Sequence, residues 1–181
     1  MKTERTALAD VLVIEPERFG DARGFFMETW NARSFEALGI QAQFVQDNHS
    51  RSARNVLRGL HYQLRQPQGK LVRVSAGEIW DVVVDLRRGS PSFGRWAGTR
   101  LDAESARMLW VPPGLAHGFL VLSDSADVLY KTTDFYAPEH ERTLLWNDPA
   151  IGIDWPLAGA EPVLSDKDRR GTLLAQAETF A

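Results

Sequence analysis

The chain has 181 residues, 44% hydrophobic and 25% charged, the balance of an ordinary soluble globule with one domain, 1–181, and a sizeable core. A net charge of -3 and a pI near 5.8 give no general affinity for nucleic acid, so any basic surface has to be local. The lack of cysteine rules out disulfides and thiolate metal sites. With no apolar run of signal-peptide or membrane-spanning length, a cytoplasmic protein is expected.

Short runs rich in β-branched and aromatic residues, each closed by Gly, Pro, Asn, Asp or Ser, predict strands at 11–15, 24–29, 43–48, 56–63, 70–75, 78–86, 93–101, 107–111, 117–122, 127–133 and 143–146. Turns fall between them at Ala76-Gly77, Arg88-Gly89-Ser90-Pro91 and Pro112-Pro113-Gly114. Many short strands at this spacing indicate an all-β sandwich or barrel. Two helices are expected: one over 31–38 with Asn31 as N-cap and Gly39 past its end, and one starting near Ser165 and interrupted by Gly171. Trp80, Trp96 and Trp110 read as core. Trp146 and Trp155 read as pins for the turn-rich loop between them.

One stretch does not fit an ordinary strand. From Gln46 to Lys70 it carries two histidines, four arginines and a lysine, yet 56–62 has strand character. A strand that takes cations and an imidazole inward lines a pocket, because unpaired buried charge is costly. In a regular strand Arg58 and His61 point to opposite faces, so a shared pocket requires a bulge or kink at Gly59. His61 alone is as compatible with a core histidine as with a catalytic one. Asp168 could orient it, but Ser-x-x-Asp at 165–168 is equally a capping pattern.

The segment VPPGLAHGF (111–119) matches half of the cupin signature, with His117 directed into the barrel. The other half normally supplies His-x-His. Here the stretch is Gly59-Leu60-His61-Tyr62-Gln63, with Gln63 in the second place, which makes a poor transition-metal site. His117 then reads as a structural histidine or as a metal-free pocket residue. Tyr130 shares a strand face with Val128 and Thr132 and is either core or a general acid. Lys70 is either a solvated strand end or an oxyanion stabiliser, and Arg23 with Arg58 could clamp a phosphate. No glycine-rich nucleotide loop occurs, so a nucleotide would be held by side chains and stacking.

The segments GDARGFFMETWN, VQDNHSRS, VLRGLHYQ, QGKLVRV, DVVVDLRRGSPSFG, LWVPPGLAHGFLVLS, YKTTDFYAPEHE, LLWNDPAIGIDWP and LSDKD, in this order, resemble the dTDP-4-dehydrorhamnose 3,5-epimerase family over essentially the whole chain. The resemblance implies a cupin-type double-stranded β-helix (jelly roll), a homodimer, and no metal or organic cofactor. The implied substrate is a nucleotide sugar, dTDP-4-dehydro-6-deoxy-D-glucose, inverted at carbons 3 and 5. It makes His61 the base with Asp168 as its partner, Tyr130 the acid, and Lys70 the enolate stabiliser. Arg23, Glu28, Gln46, Asp47, Asn48, Arg58, His117, Glu141 and Lys167 match substrate-contacting positions, and Tyr136 matches the aromatic that stacks on thymine. Leu115 replaces a residue often aromatic in the family, with an expected consequence for packing only. A mono-epimerase of the same family, a related 3,4-ketoisomerase, a metal-dependent cupin oxygenase and a non-catalytic sugar-binding cupin are the competing readings.

Overall fold

The computed structural model describes residues 1–181 and is built from antiparallel strands. In chain order these are β1 (Lys2–Arg5), β2 (Leu12–Glu15), β3 (Arg18–Asp21), β4 (Gly24–Met27), β5 (Gln46–Ala53), β6 (Leu57–Gln63), β7 (Lys70–Ala76), β8 (Glu78–Asp85), β9 (Trp96–Asp102), β10 (Met108–Val111), β11 (Leu115–Val121), β12 (Ser125–Thr132) and β13 (Glu141–Thr143). One sheet has the order β1-β2-β10-β7-β12-β5, the other β13-β6-β11-β8-β9, and β3 with β4 forms a separate ribbon. This is the cupin-type jelly roll. No helix is long and apolar enough to cross a membrane.

Alternation along the strands decides what fills the space between the sheets. Val72 and Val74, Ile79 and Val83, Leu115, Phe119 and Val121, and Ala126 and Val128 point inward and pack into one core cluster. The alternate residues Val82, Val84, Ala116 and Leu120 face the other way, where residues from Leu144 to Ala177 cover them. Phe35 and Ile40 close the far side of the larger sheet over Ile14, Leu71 and Met108. The apolar filling does not run the full length of the barrel. At one end the inward positions are polar, and that end stays open.

Helix α1 (Ala32–Ala37) is capped as expected: the Asn31 side chain accepts from the N–H groups of Arg33 and Ser34, and Gly39 follows at φ +83°. The second helix, α2 (Asp166–Arg169), is only one turn long, and Ser165 caps it. Several strands differ from expectation. The predicted strand at 43–48 is displaced to β5, which is polar on both faces and is held by pairing with β12 along its whole length rather than by an apolar stripe. The exposed strands β1 and β3 carry no buried face to betray them. Trp80, Trp96 and Trp110 are half-buried rather than core, because they pack at the margins of clusters, Trp80 and Trp96 against the one beneath 144–177 and Trp110 against the one around Phe35. Trp155 does pin its loop: its indole N–H donates to the carbonyl of Trp146 at 2.8 Å. Leu115 is 3% exposed within the central core.

Candidate active site

The open end of the barrel holds a cavity of about 360 Å³, large enough for a small ligand. Its walls are inward positions of both sheets: Gln46, Asn48 and Ser50 from β5, Lys70 from β7 and Tyr130 from β12 on one side, and Arg58, His61, His117 and Glu141 from β6, β11 and β13 on the other. Tyr136 and Lys167 stand at the rim.

Arg58 and His61 reach the same cavity because β6 is irregular at Gly59. Arg58 pairs with Phe119 and His61 with His117, so three residue steps on β6 match two on β11. Gly59 has φ +114°, and a Cβ there would lie 2.6 Å from the Cα of Gly118 and 2.7 Å from the carbonyl oxygen of His117. Only glycine fits this crossing. The shift keeps Leu57 and Leu60 in the outer core cluster while turning the cation and the imidazole inward.

Two imidazoles therefore stand opposite one another on adjacent strands, each tied to its own carboxylate. His61 Nε2 lies 2.6 Å from Asp168 Oδ1. The Asp168 carboxylate also accepts from the Ser165 hydroxyl at 2.7 Å, while the Asp168 N–H donates to Ser165 Oγ at 3.2 Å. The capping and orienting readings of Asp168 hold together. Burial opposes ionisation of Asp168, but the hydrogen bonds from His61, Ser165 and the Gly59 N–H outweigh it and hold the carboxyl below the usual carboxylate range. An anion on Nε2 fixes the proton there and leaves Nδ1 as the basic nitrogen of His61. Across the pair, His117 Nε2 lies 2.9 Å from both oxygens of Asp81, which is fully buried.

Lys70 is 7% exposed, and its nearest polar partner is the His61 carbonyl at 3.5 Å. Burial pulls its pKa down to about 8, against the opposing pull of Asp81 and Glu141. Burial also raises the Tyr130 phenol above its ordinary value, with Arg58 opposing and Glu141 adding to the shift, so this side chain stays protonated at neutral pH. At the rim, Glu141 accepts from the Tyr136 hydroxyl at 3.1 Å and from Lys167 Nζ at 2.9 Å. No group of three or more His, Asp or Glu side chains is arranged to hold a metal ion.

Residues 5–176 match the family model described as dTDP-4-dehydrorhamnose 3,5-epimerase. The chain belongs to the dTDP-4-dehydrorhamnose 3,5-epimerase family. It is 63% identical over 181 residues to the dTDP-4-dehydrorhamnose 3,5-epimerase of Pseudomonas aeruginosa, covering 99% of each chain. It superposes with a TM-score of 0.95 on the crystal structure of dTDP-6-deoxy-D-glucose-3,5-epimerase from Legionella pneumophila Philadelphia 1 in complex with dTDP-4-keto-L-rhamnose, at 51% identity over 98% of this chain and 94% of that one. A 3'-monoepimerase from Streptomyces bikiniensis, in complex with dTDP-quinovose, is similar at 37% identity and a TM-score of 0.89, over 95% and 87% of the two chains.

Of the residues expected at the site, the cavity gathers Gln46, Asn48, Arg58, His61, Lys70, His117, Tyr130, Tyr136, Glu141 and Lys167, with Asp168 behind His61. Three expected residues lie elsewhere in this copy of the chain. Asp47 points out of β5 and pairs with Lys131 at 2.9 Å, because alternation sends it to the face opposite Gln46 and Asn48. Arg23, at the tip of the β3–β4 ribbon, has an 89% exposed side chain and is paired with Asp21. Glu28 accepts from Asn31 and Ser34 beside α1. Sequence reading missed Asp81. An acid alternating with Ile79 and Val83 on the inner face of a buried strand was its available signal.

Proposed function

We propose that the chain inverts carbons 3 and 5 of dTDP-4-dehydro-6-deoxy-D-glucose through an enolate, giving dTDP-4-dehydro-L-rhamnose. The observation that carries this reading is one cavity with the His61–Asp168 pair on one sheet, Tyr130 on the facing sheet and Lys70 beside the base. A proton beside a ketone is too weakly acidic for an imidazole alone, so base and cation have to act together. His61 takes the proton, the electron pair moves onto the carbonyl oxygen beside the Lys70 ammonium, and the Tyr130 phenol returns a proton from the opposite face. The sugar ring shifts between the two inversions while remote contacts hold it. Arg58 meets the diphosphate, Tyr136 stacks on thymine, and Gln46, Asn48, His117, Glu141 and Lys167 orient the rest.

We further assign a homodimer working in the cytoplasm. Phe19, Phe25 and Phe26 are 56%, 55% and 71% exposed on a ribbon that pairs with neither large sheet, an apolar surface that a second copy would cover. Arg23 and Glu28 then serve the partner's cavity. Mixed dimers of Arg23→Ala and His61→Ala chains regain activity if this is so and stay inactive if each site is complete within one chain.

NMR of the product formed in deuterated solvent tests the reaction. Deuterium at carbons 3 and 5 with both centres inverted is expected. Label at one carbon only makes the chain a mono-epimerase, as the Streptomyces bikiniensis relative is named.

A further inference from the structure

Gln63 occupies the place at which the cupin signature carries its second histidine, and its amide is fully engaged. The side chain is 4% exposed at the end of β6. Its Nε2 donates to the carbonyls of Gln66 at 2.8 Å and Phe135 at 3.2 Å, and its Oε1 accepts from the Ala137 N–H at 2.9 Å. Both donors of the amide are used, and all three partners are backbone groups. Phe135 and Ala137 are the two neighbours of Tyr136. The N–H of Tyr136 itself donates to Gln46 Oε1 at 3.0 Å.

Three consecutive residues are thus tied by two amides reaching from facing sheets. Packing anchors only Ala137, 5% exposed, and leaves Phe135 and Tyr136 59% and 52% exposed. The direction of the Gln63 amide is also fixed. Two carbonyls and one N–H can be satisfied together only with nitrogen toward the carbonyls, and a carboxylate in its place would set an oxygen against both.

We infer that Gln63 is a positioning residue for nucleobase recognition, holding the 135–137 segment so that Tyr136 presents its ring to the base. The inference rests on the reading of Tyr136 as the stacking residue. It predicts that the isosteric Gln63→Glu, which loses both donors, and the apolar Gln63→Met weaken the nucleotide end of the ligand and leave the phosphate end intact.

The experiment is calorimetry with two probes, dTDP and inorganic pyrophosphate, on wild type, both Gln63 variants and Tyr136→Ala, with steady-state kinetics alongside. Stacking of a base on an aromatic side chain is lost on its misplacement, so dTDP affinity should fall about tenfold or more in both Gln63 variants. Pyrophosphate affinity should stay within a factor of about two, and KM should rise much more than kcat falls. Equal loss for dTDP and pyrophosphate would make Gln63 a general structural residue and overturn the proposal. Unchanged dTDP affinity in a folded Gln63→Met also overturns it, provided that Tyr136→Ala has lost affinity. If Tyr136→Ala binds dTDP like wild type, the stacking reading itself fails and takes the proposal with it. A Gln63→Glu chain that does not fold leaves the decision to Gln63→Met.

Discussion

Replacing Lys70 by Met should make the protein more stable and inactive at the same time. The ammonium is almost fully buried, with one distant carbonyl partner, and burial holds its pKa near 8 where an unfolded lysine has 10.5. Holding the charged form in the fold therefore costs about 3 kcal/mol. The sign follows from proton counting. Below about pH 8 both folded and unfolded chains bind the proton, and the cost is full. Between about 8 and 10.5 only the unfolded chain binds it, so stability rises with pH across that window. Methionine keeps the length and removes the charge. At pH 7 the ceiling of the gain is about 3 kcal/mol, or about 6–12 °C in Tm for a chain of this size, reduced by what Asp81 and Glu141 lose with their cation. Thermal unfolding of wild type and Lys70→Met at pH 7 and at 9.5 is the assay, and the difference should shrink at the higher pH. Turnover should fall about 10²–10³-fold, as for loss of an oxyanion stabiliser. A Lys70→Met protein that melts at or below wild type at pH 7 would refute the reasoning, because the ammonium would then be adequately solvated or paired.

His61→Ala and Tyr130→Phe should each lower turnover by about 10²-fold or more while dTDP binding, measured by calorimetry, changes little. Asp168→Asn should cost about 10²–10⁴-fold in kcat by leaving the His61 tautomer unspecified. It should also weaken the fold, since the stability from the low carboxyl pKa is present at neutral pH and is lost as pH falls through the folded value. An acid titration of stability that is unchanged in the variant would speak against that contribution. Gly59→Ala forces a Cβ to within 2.6 Å of Gly118 at a backbone angle that alanine avoids, so it should cost about 2 kcal/mol or more in denaturant unfolding.

The sequence was most informative where one side chain type admits one environment. Alternating Val72, Val74, Val83 and Val121 mark the inner faces of the two sheets, and Asn31 with Gly39 brackets a helix. The polar wall was legible in outline, because a strand carrying Arg58 and His61 requires both a pocket and a break at Gly59. What failed depended on pairing. The position of β5 is set by its partner β12 and not by its own pattern, so the expected strand began too early. The outward direction of Asp47 follows from the alternation that directs Gln46 and Asn48 inward, although the run reads as one polar block. The Asp81–His117 and Asp168–His61 contacts span 36 and 107 residues, and no local spacing encodes them.

Because Asp168 sits in α2, capped by Ser165, and holds His61, the proton-transfer step depends on a C-terminal segment whose backbone is tied to the rest of the chain only at intervals, through Val163, Thr172 and Phe180. Such a segment opens locally with a free energy of its own, smaller than that of the whole fold. Activity is then multiplied by the docked fraction. While docked molecules outnumber open ones a hundred to one, a substitution that loosens this segment tenfold leaves the rate nearly untouched. Once that margin is consumed, each further ~1.4 kcal/mol removes a factor of ten. Mutational tolerance along residues 160–181 should therefore show a plateau followed by a cliff, even for changes far from any reacting atom.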